Sequence, residues 1–85
     1  MNSKNLTTAE RNHMQRVKSL PCALCNAPGP SDAHHIDQGS HFTVVALCYE
    51  CHRGNNGWHG NKAYWRLRKW AELDALNETL RRLAA

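Results

Sequence analysis

Apolar positions fall into three zones separated by polar turns. The first zone is sparse: Ala9, Met14, Val17 and Leu20 recur at helical spacing behind the run Thr7-Thr8-Ala9-Glu10. Thr7 as N-cap with Glu10 three residues later is a capping-box signature, which predicts a helix over about 8–19 with one thin docked stripe and a solvated remainder. Met1 to Leu6 is polar and is expected to fray. Pro21 ends the helix, and NAPGPSD over 26–32 is a loop by its prolines, glycine and turn formers. The second zone is short and β-rich. AHHI at 33–36, the turn DQGSH at 37–41 and FTVVAL at 42–47 predict a β-hairpin, with β-branched Thr43, Val44 and Val45 in its second strand. A helix should start over 48–53, and Gly54, Asn55, Asn56 and Gly57 should interrupt it. In the third zone Trp65, Leu67, Leu73, Leu76, Leu80 and Leu83 predict one long helix over about 61–83, with Arg66, Lys69, Glu72, Asn77, Arg81 and Arg82 on its other side. A leucine stripe at that spacing is core or a dimer face.

The 85 residues thus read as one small α+β domain over 1–85, with a helix, a hairpin, a short helix and a long terminal helix. Composition adds a difficulty. Leu, Ile, Val and Phe number 14, about a sixth of the chain, which approaches the composition of disordered proteins. A chain this short also buries little surface, so it needs a staple. Cys22, Cys25, Cys48 and Cys51 are the candidates for one. No N-terminal apolar run resembles a signal peptide, so a cytoplasmic location and metal-bound thiols are expected in preference to disulfides. No apolar stretch approaches the roughly 20 residues that span a bilayer, so no membrane partner is expected. The net charge of +4 and pI near 9.1 favour a polyanionic partner only modestly.

Cys22-x-x-Cys25 and Cys48-x-x-Cys51, with 22 residues between the pairs, have the spacing of a closed tetrahedral Cys₄ zinc site. Four thiolates leave no open position, so this zinc should be structural. A redox use of a Cys-x-x-Cys pair fits two matched pairs poorly.

Six histidines remain. Alone, a histidine is weak support for a site, but here His34 and His35 end a strand, a hairpin follows, and His52 stands directly after the second cysteine pair. That order resembles the HNH endonucleases, the ββα-metal superfamily, and in particular its branch with zinc knuckles. The resemblance covers about 21–60 and leaves out the terminal helix. AHHI, LCYECHRG and WHG further resemble small phage and prophage proteins related to the recombination enhancement nuclease Ref.

The resemblance implies a ββα-metal HNH core and hydrolysis of DNA phosphodiester bonds. It makes His35 the general base, and His34 and His52 ligands of a catalytic divalent metal, a two-histidine pair more like the colicin nucleases than the Asp-containing branch. Thr43 stands where the family has an Asn that braces the loop around the base, and it offers no amide. Imidazole ligands suit Mn, Co, Ni or Zn, and Mg can function with phosphate and water oxygens completing the shell. His59, in WHG, has three readings: a third metal ligand, a phosphate contact, or a cap on the packing around Trp58. Trp58 itself reads as a core anchor, and His41 and His13 as surface residues. Arg53, Lys62, Arg66 and Lys69 flank the site in sequence and are candidates for DNA phosphate contacts or simply solvated cations. Neighbouring strand residues point to opposite faces, so a regular strand leaves only one of His34 and His35 on a shared site.

A DNA endonuclease of phage or prophage origin is therefore the first expectation. The alternatives are a catalytically inactive zinc-knuckle module binding DNA or a protein, and a structural zinc protein with an inert histidine site. The narrower resemblance implies a RecA filament as partner, and the leucine stripe of the last helix suggests a homodimer.

Overall fold

Helix α1 spans Thr8–Lys18 and starts as its capping box dictates. The Thr7 hydroxyl accepts from the Glu10 N–H at 3.0 Å, and the Glu10 carboxylate accepts from the Thr7 N–H at 2.8 Å. Val17 is the buried residue of this helix, with Met14 and Leu20 packed beside it. The computed structural model describes residues 6–54 and 57–85; the fraying expected at 1–5 and the interruption expected at Asn55 and Asn56 lie outside the described residues.

Strands β1, Asp32–His35, and β2, Val44–Leu47, form the antiparallel hairpin, with His34 opposite Val45 and His35 opposite Val44. β1 starts and ends one residue earlier than expected, and β2 is shorter, because Phe42 and Thr43 belong to the turn. The Thr43 hydroxyl and N–H both donate to the Ser40 carbonyl, at 2.9 and 3.2 Å, and the Ser40 hydroxyl donates to Asp37 at 2.7 Å. Thr43 thereby braces the loop without an amide side chain, and Phe42 is left half exposed.

β2 is buried on both faces, which explains its continuous apolar run. Val44 and Ala46 meet Val17, while Val45 and Leu47 meet Cys22, Ala23, Leu24, Cys51, Trp65 and Ala75. Its outer edge is closed by other elements. The Ala46 carbonyl accepts from the Ala23 N–H at 2.8 Å. The Ala46 N–H donates to the Thr79 hydroxyl at 3.3 Å, and that hydroxyl donates to the Ala75 carbonyl at 2.8 Å. Thr79→Val keeps the shape but strands a buried N–H, a change that costs about 1–3 kcal/mol. We expect a lower midpoint in chemical denaturation with an unchanged slope; an unchanged midpoint would remove this edge contact from the account.

Three helices follow: α2, Tyr49–His52, α3, Ala63–Leu67, and α4, Glu72–Ala84. The single helix expected over 61–83 is thus two. Lys69 takes a left-handed φ of 58°, the Lys69 N–H donates to the Arg66 carbonyl and the Trp70 N–H to the Trp65 carbonyl, which is a Schellman stop. Trp70 then packs on the core that contains Trp65, supplying the hydrophobic contact of that motif. α4 restarts where Asp74 accepts from the Ala71 N–H at 2.8 Å. The leucine stripe is also not the core face. Leu73 is 71% and Leu80 42% exposed, whereas Ala75 and Thr79 are fully buried and Leu76 and Leu83 are half-buried. Small side chains let α4 approach β2 closely enough for the Thr79 bond, and large ones at those positions would hold it off. Among the described residues, no helix is long and apolar enough to cross a membrane.

Candidate metal centres

The first cysteine pair sits in a tight turn held by backbone bonds. The Cys22 N–H donates to the Ala27 carbonyl, the Asn26 N–H to the Cys22 carbonyl, and the Cys25 N–H to the Cys22 sulfur at 3.4 Å. Asn26 closes it in the left-handed region at φ 65°, which Asn tolerates. The second pair straddles the start of α2, with Cys48 as N-cap and Cys51 one turn later. Two donors pin Cys51 in place: its carbonyl accepts from the Trp58 N–H at 2.9 Å and from the Trp65 indole N–H at 3.2 Å.

All four sulfurs lie within 4.8 Å of one another, and Cys25 and Cys48 are 3.6 Å apart. A zinc tetrahedron with arms of about 2.3 Å has edges near 3.8 Å, so the cluster has the size the ion needs. The separation is too long for a disulfide, whose sulfurs sit about 2.05 Å apart. Hydrogen bonding from Cys51 holds the Cys22 thiol well below its ordinary range, to about 4, and the same contact pushes Cys51 upward. A divalent ion deprotonates the thiols that coordinate it. The cluster could hold a metal ion such as zinc.

A second group is built on His52, the residue after Cys51. His34 from β1, His52 from α2 and His59 from the loop after α2 bring ring nitrogens within 4.8 Å of one another, with ring centroids 4.9 to 5.0 Å apart. Cys51 and His52 are neighbours in one short helix, so that helix serves both groups. His59 is brought in by a loop that folds back on α2: the His59 N–H donates to the His52 carbonyl at 3.0 Å. Gly57 permits the return, because a Cβ there would lie 2.7 Å from the His52 carbonyl and the Arg53 nitrogen. Of the three readings of His59, its place in this cluster favours metal ligation.

Two carboxylates brace the imidazoles. His52 Nδ1 meets Asp32 at 3.0 Å, and His34 Nε2 meets Glu72 at 2.6 Å. The sequence reading gives neither a site role: Asp32 falls in its 26–32 loop and Glu72 on the polar side of its last helix. The alternation Asp32-Ala33-His34 puts Asp32 and His34 on one face of β1 and is a signal that could have found Asp32. Nothing local marks Glu72, 38 residues from its partner.

His34 and His52 are buried and His59 is exposed, so three imidazole donors present one open side. Such a set suits zinc or another borderline divalent ion. Comparison of the chain with protein-family models, curated proteins and solved structures found no match.

His35 is not part of this cluster. The strand is regular, so His35 points to the other face, where its Nε2 lies 3.2 Å from His41 Nδ1. Burial, then His41 and His34, hold His35 below the usual imidazole range. His59 is lowered as well, first by burial and then by His34 and His52, with Arg53 adding to the effect. The reading of His41 and His13 as plain surface residues is corrected. Both are half-buried, His41 against His35 and His13 as a donor to the Phe42 carbonyl at 3.1 Å.

Trp58 is a core anchor, edge-on to Trp65 with centroids 4.9 Å apart. Among the basic candidates, Arg53, Lys62, Arg66 and Lys69 are all exposed. Lys62 lies 4.5 Å over the Trp58 ring, which engages its ammonium with the protein's own surface. Arg53 adds to the lowering of the His59 imidazole.

Proposed function

We propose that this chain is a small HNH-type endonuclease that hydrolyses DNA phosphodiester bonds, with a ββα-metal core, a structural zinc at the four cysteines and a catalytic divalent metal at the histidines. The observation that carries the reading is the convergence of His34, His52 and His59 on one partly exposed point, beside and separate from the cysteine cluster. A bound divalent ion supplies positive charge for the phosphate and for the oxygen that leaves. His34, His52 and His59 would hold it, and the carboxylates of Asp32 and Glu72 keep two of those rings in place. The resemblance assigns the proton of the attacking water to His35; because β1 turns its ring away from the three histidines and toward His41, that role requires the phosphate to reach both faces at the end of the strand. Arg53, Lys62, Arg66 and Lys69 bind backbone phosphates without choosing a sequence. A phage or prophage origin, a cytoplasmic site of action, a RecA filament as partner and a homodimer through Leu73 and Leu80 belong to the same proposal.

One observation favours a second reading, an inactive zinc module that binds DNA or a protein. His35 faces away from the three histidines and is engaged by His41. Plasmid and single-strand cleavage with Mg, Mn, Ni or Zn added in turn separates the two, comparing wild type with His35→Ala at matched zinc content. The nuclease reading expects metal-dependent cutting that falls by about 10²–10⁴-fold in the variant, the usual worth of a general base. Equal cutting by both proteins removes His35 from the mechanism, and no cutting by either supports the binding module.

A further inference from the structure

The geometry points to Glu72 as the positioning residue that fixes His34 in the histidine centre, which makes the first turn of α4 a working part of that centre. The inference rests on the reading of His34, His52 and His59 as a metal site. α4 lies outside the stretch that carries the motif, yet it delivers a carboxylate oxygen to 2.6 Å from His34 Nε2. His34 is nearly fully buried and Glu72 is four-fifths buried, so this is a short contact in a sheltered place.

A carboxylate only accepts, so the bonded Nε2 of His34 carries the hydrogen and Nδ1 keeps the lone pair. The His52 ring is held the opposite way. Its Nδ1 donates to Asp32, which leaves Nε2 free. Two carboxylates thus select two complementary tautomers, and each ring presents one defined nitrogen. Metal-binding histidines are commonly oriented in this way, and loss of such a partner typically costs 10- to 100-fold in metal affinity. Asp32 is about half exposed and its bond is longer, at 3.0 Å, so Glu72 should matter more.

The placement of Glu72 follows from the core contacts of its helix. Ala75 and Thr79 seat α4 against β2, and β2 pairs with β1 so that Val45 lies opposite His34. The same packing that closes the sheet edge therefore sets the carboxylate beside the imidazole.

The test is titration of the zinc-loaded full chain with Ni(II) or Co(II), for wild type, Glu72→Ala, Glu72→Gln and Asp32→Asn. Circular dichroism and zinc content serve as checks on folding. Glu72→Ala is expected to weaken binding of the added ion by about 10- to 100-fold. Glu72→Gln, whose amide oxygen still accepts, should restore part of the loss, and Asp32→Asn should have the smaller effect. Long-range ¹H–¹⁵N spectra of the metal-free histidine centre give a readout that a merely structural role would not move: a single Nε2–H tautomer for His34 in wild type, and a mixture in Glu72→Ala. Cadmium coupling should appear at His34 Nδ1. Coupling at Nε2 would make Glu72 a competitor for the ion's nitrogen and overturn the assignment, as would unchanged affinity and unchanged His34 signals in Glu72→Ala. A wild-type chain that takes up no added ion removes the metal site itself, and the inference with it.

Discussion

If the four-cysteine cluster holds zinc as proposed, stripping the ion, or replacing Cys22 or Cys51 by Ser, is expected to unfold the chain. Cys22 and Cys51 are core residues here, packed with Leu24, Val45, Leu47, Trp65 and Ala75. The cluster joins the segment after α1 to the start of α2, and few large aliphatic side chains are available to hold those parts together. Metal binding in small structural zinc sites is worth about 10–16 kcal/mol in apparent terms. Whole domains are stable by only about 5–15 kcal/mol, so the loss is comparable to the entire stability of such a domain. In the Ser variants a shorter, harder oxygen replaces one sulfur while three thiols stay crowded around the vacancy. Circular dichroism with and without a chelator, paired with zinc content by mass spectrometry, checks this directly. A cooperative melt that survives full zinc removal at the same temperature would show that the protein core suffices. Since the thiols must be deprotonated to bind the ion, release should also begin as pH falls.

The second large effect is expected from His52→Ala, which should abolish metal uptake at the histidine centre while leaving the fold and the cysteine-bound zinc intact. His52 is buried, has its ring centroid 5.0 Å from that of His34 and 4.9 Å from that of His59, and holds Asp32. Its loss takes the centre from three imidazoles to two and releases the Asp32 brace. Loss of a bracing partner alone costs 10- to 100-fold, so loss of a direct donor should cost more than about 100-fold in affinity. The fold should tolerate the change, because Asp32 is half exposed and can turn to water. Nickel titration at matched zinc content reads the affinity, and on the proposed nuclease reading any cleavage seen with the wild type should fall to background in the same samples. Full nickel binding by the variant would dismiss the three-histidine centre, whereas lost binding with retained cleavage would detach the activity from that centre.

Much of this was legible in local spacing. The Thr7 and Glu10 box starts α1, the β-branched run marks β2, and the two Cys-x-x-Cys pairs meet. Other features were concealed by competing local signals. Apolar residues at helical spacing continue through Leu67 and Leu73, so nothing in the periodicity betrays the stop at Lys69. A Schellman turn at a lysine lacks the glycine that usually announces it. The leucine stripe likewise suggests a core face, but the helix turns Ala75 and Thr79 inward because β2 needs a close partner at its edge.

The histidines show the same division. Alternation along a strand requires His34 and His35 to part, and a regular β1 sends them to different neighbours, one to His52 and His59 and the other to His41. The sequence by itself determined the elements that one or two turns of chain can encode: the cap, the hairpin and the convergence of each cysteine pair, since their partners lie within a few bonds. The resemblance already put His34 and His52 on one metal and offered His59 as a third ligand; tertiary structure alone decided that His59 joins them, that His35 does not, and that Asp32 and Glu72 brace the centre. Those contacts join residues 20 and 38 positions apart, and only the packing of α2 and α4 against the hairpin brings them within hydrogen-bond reach.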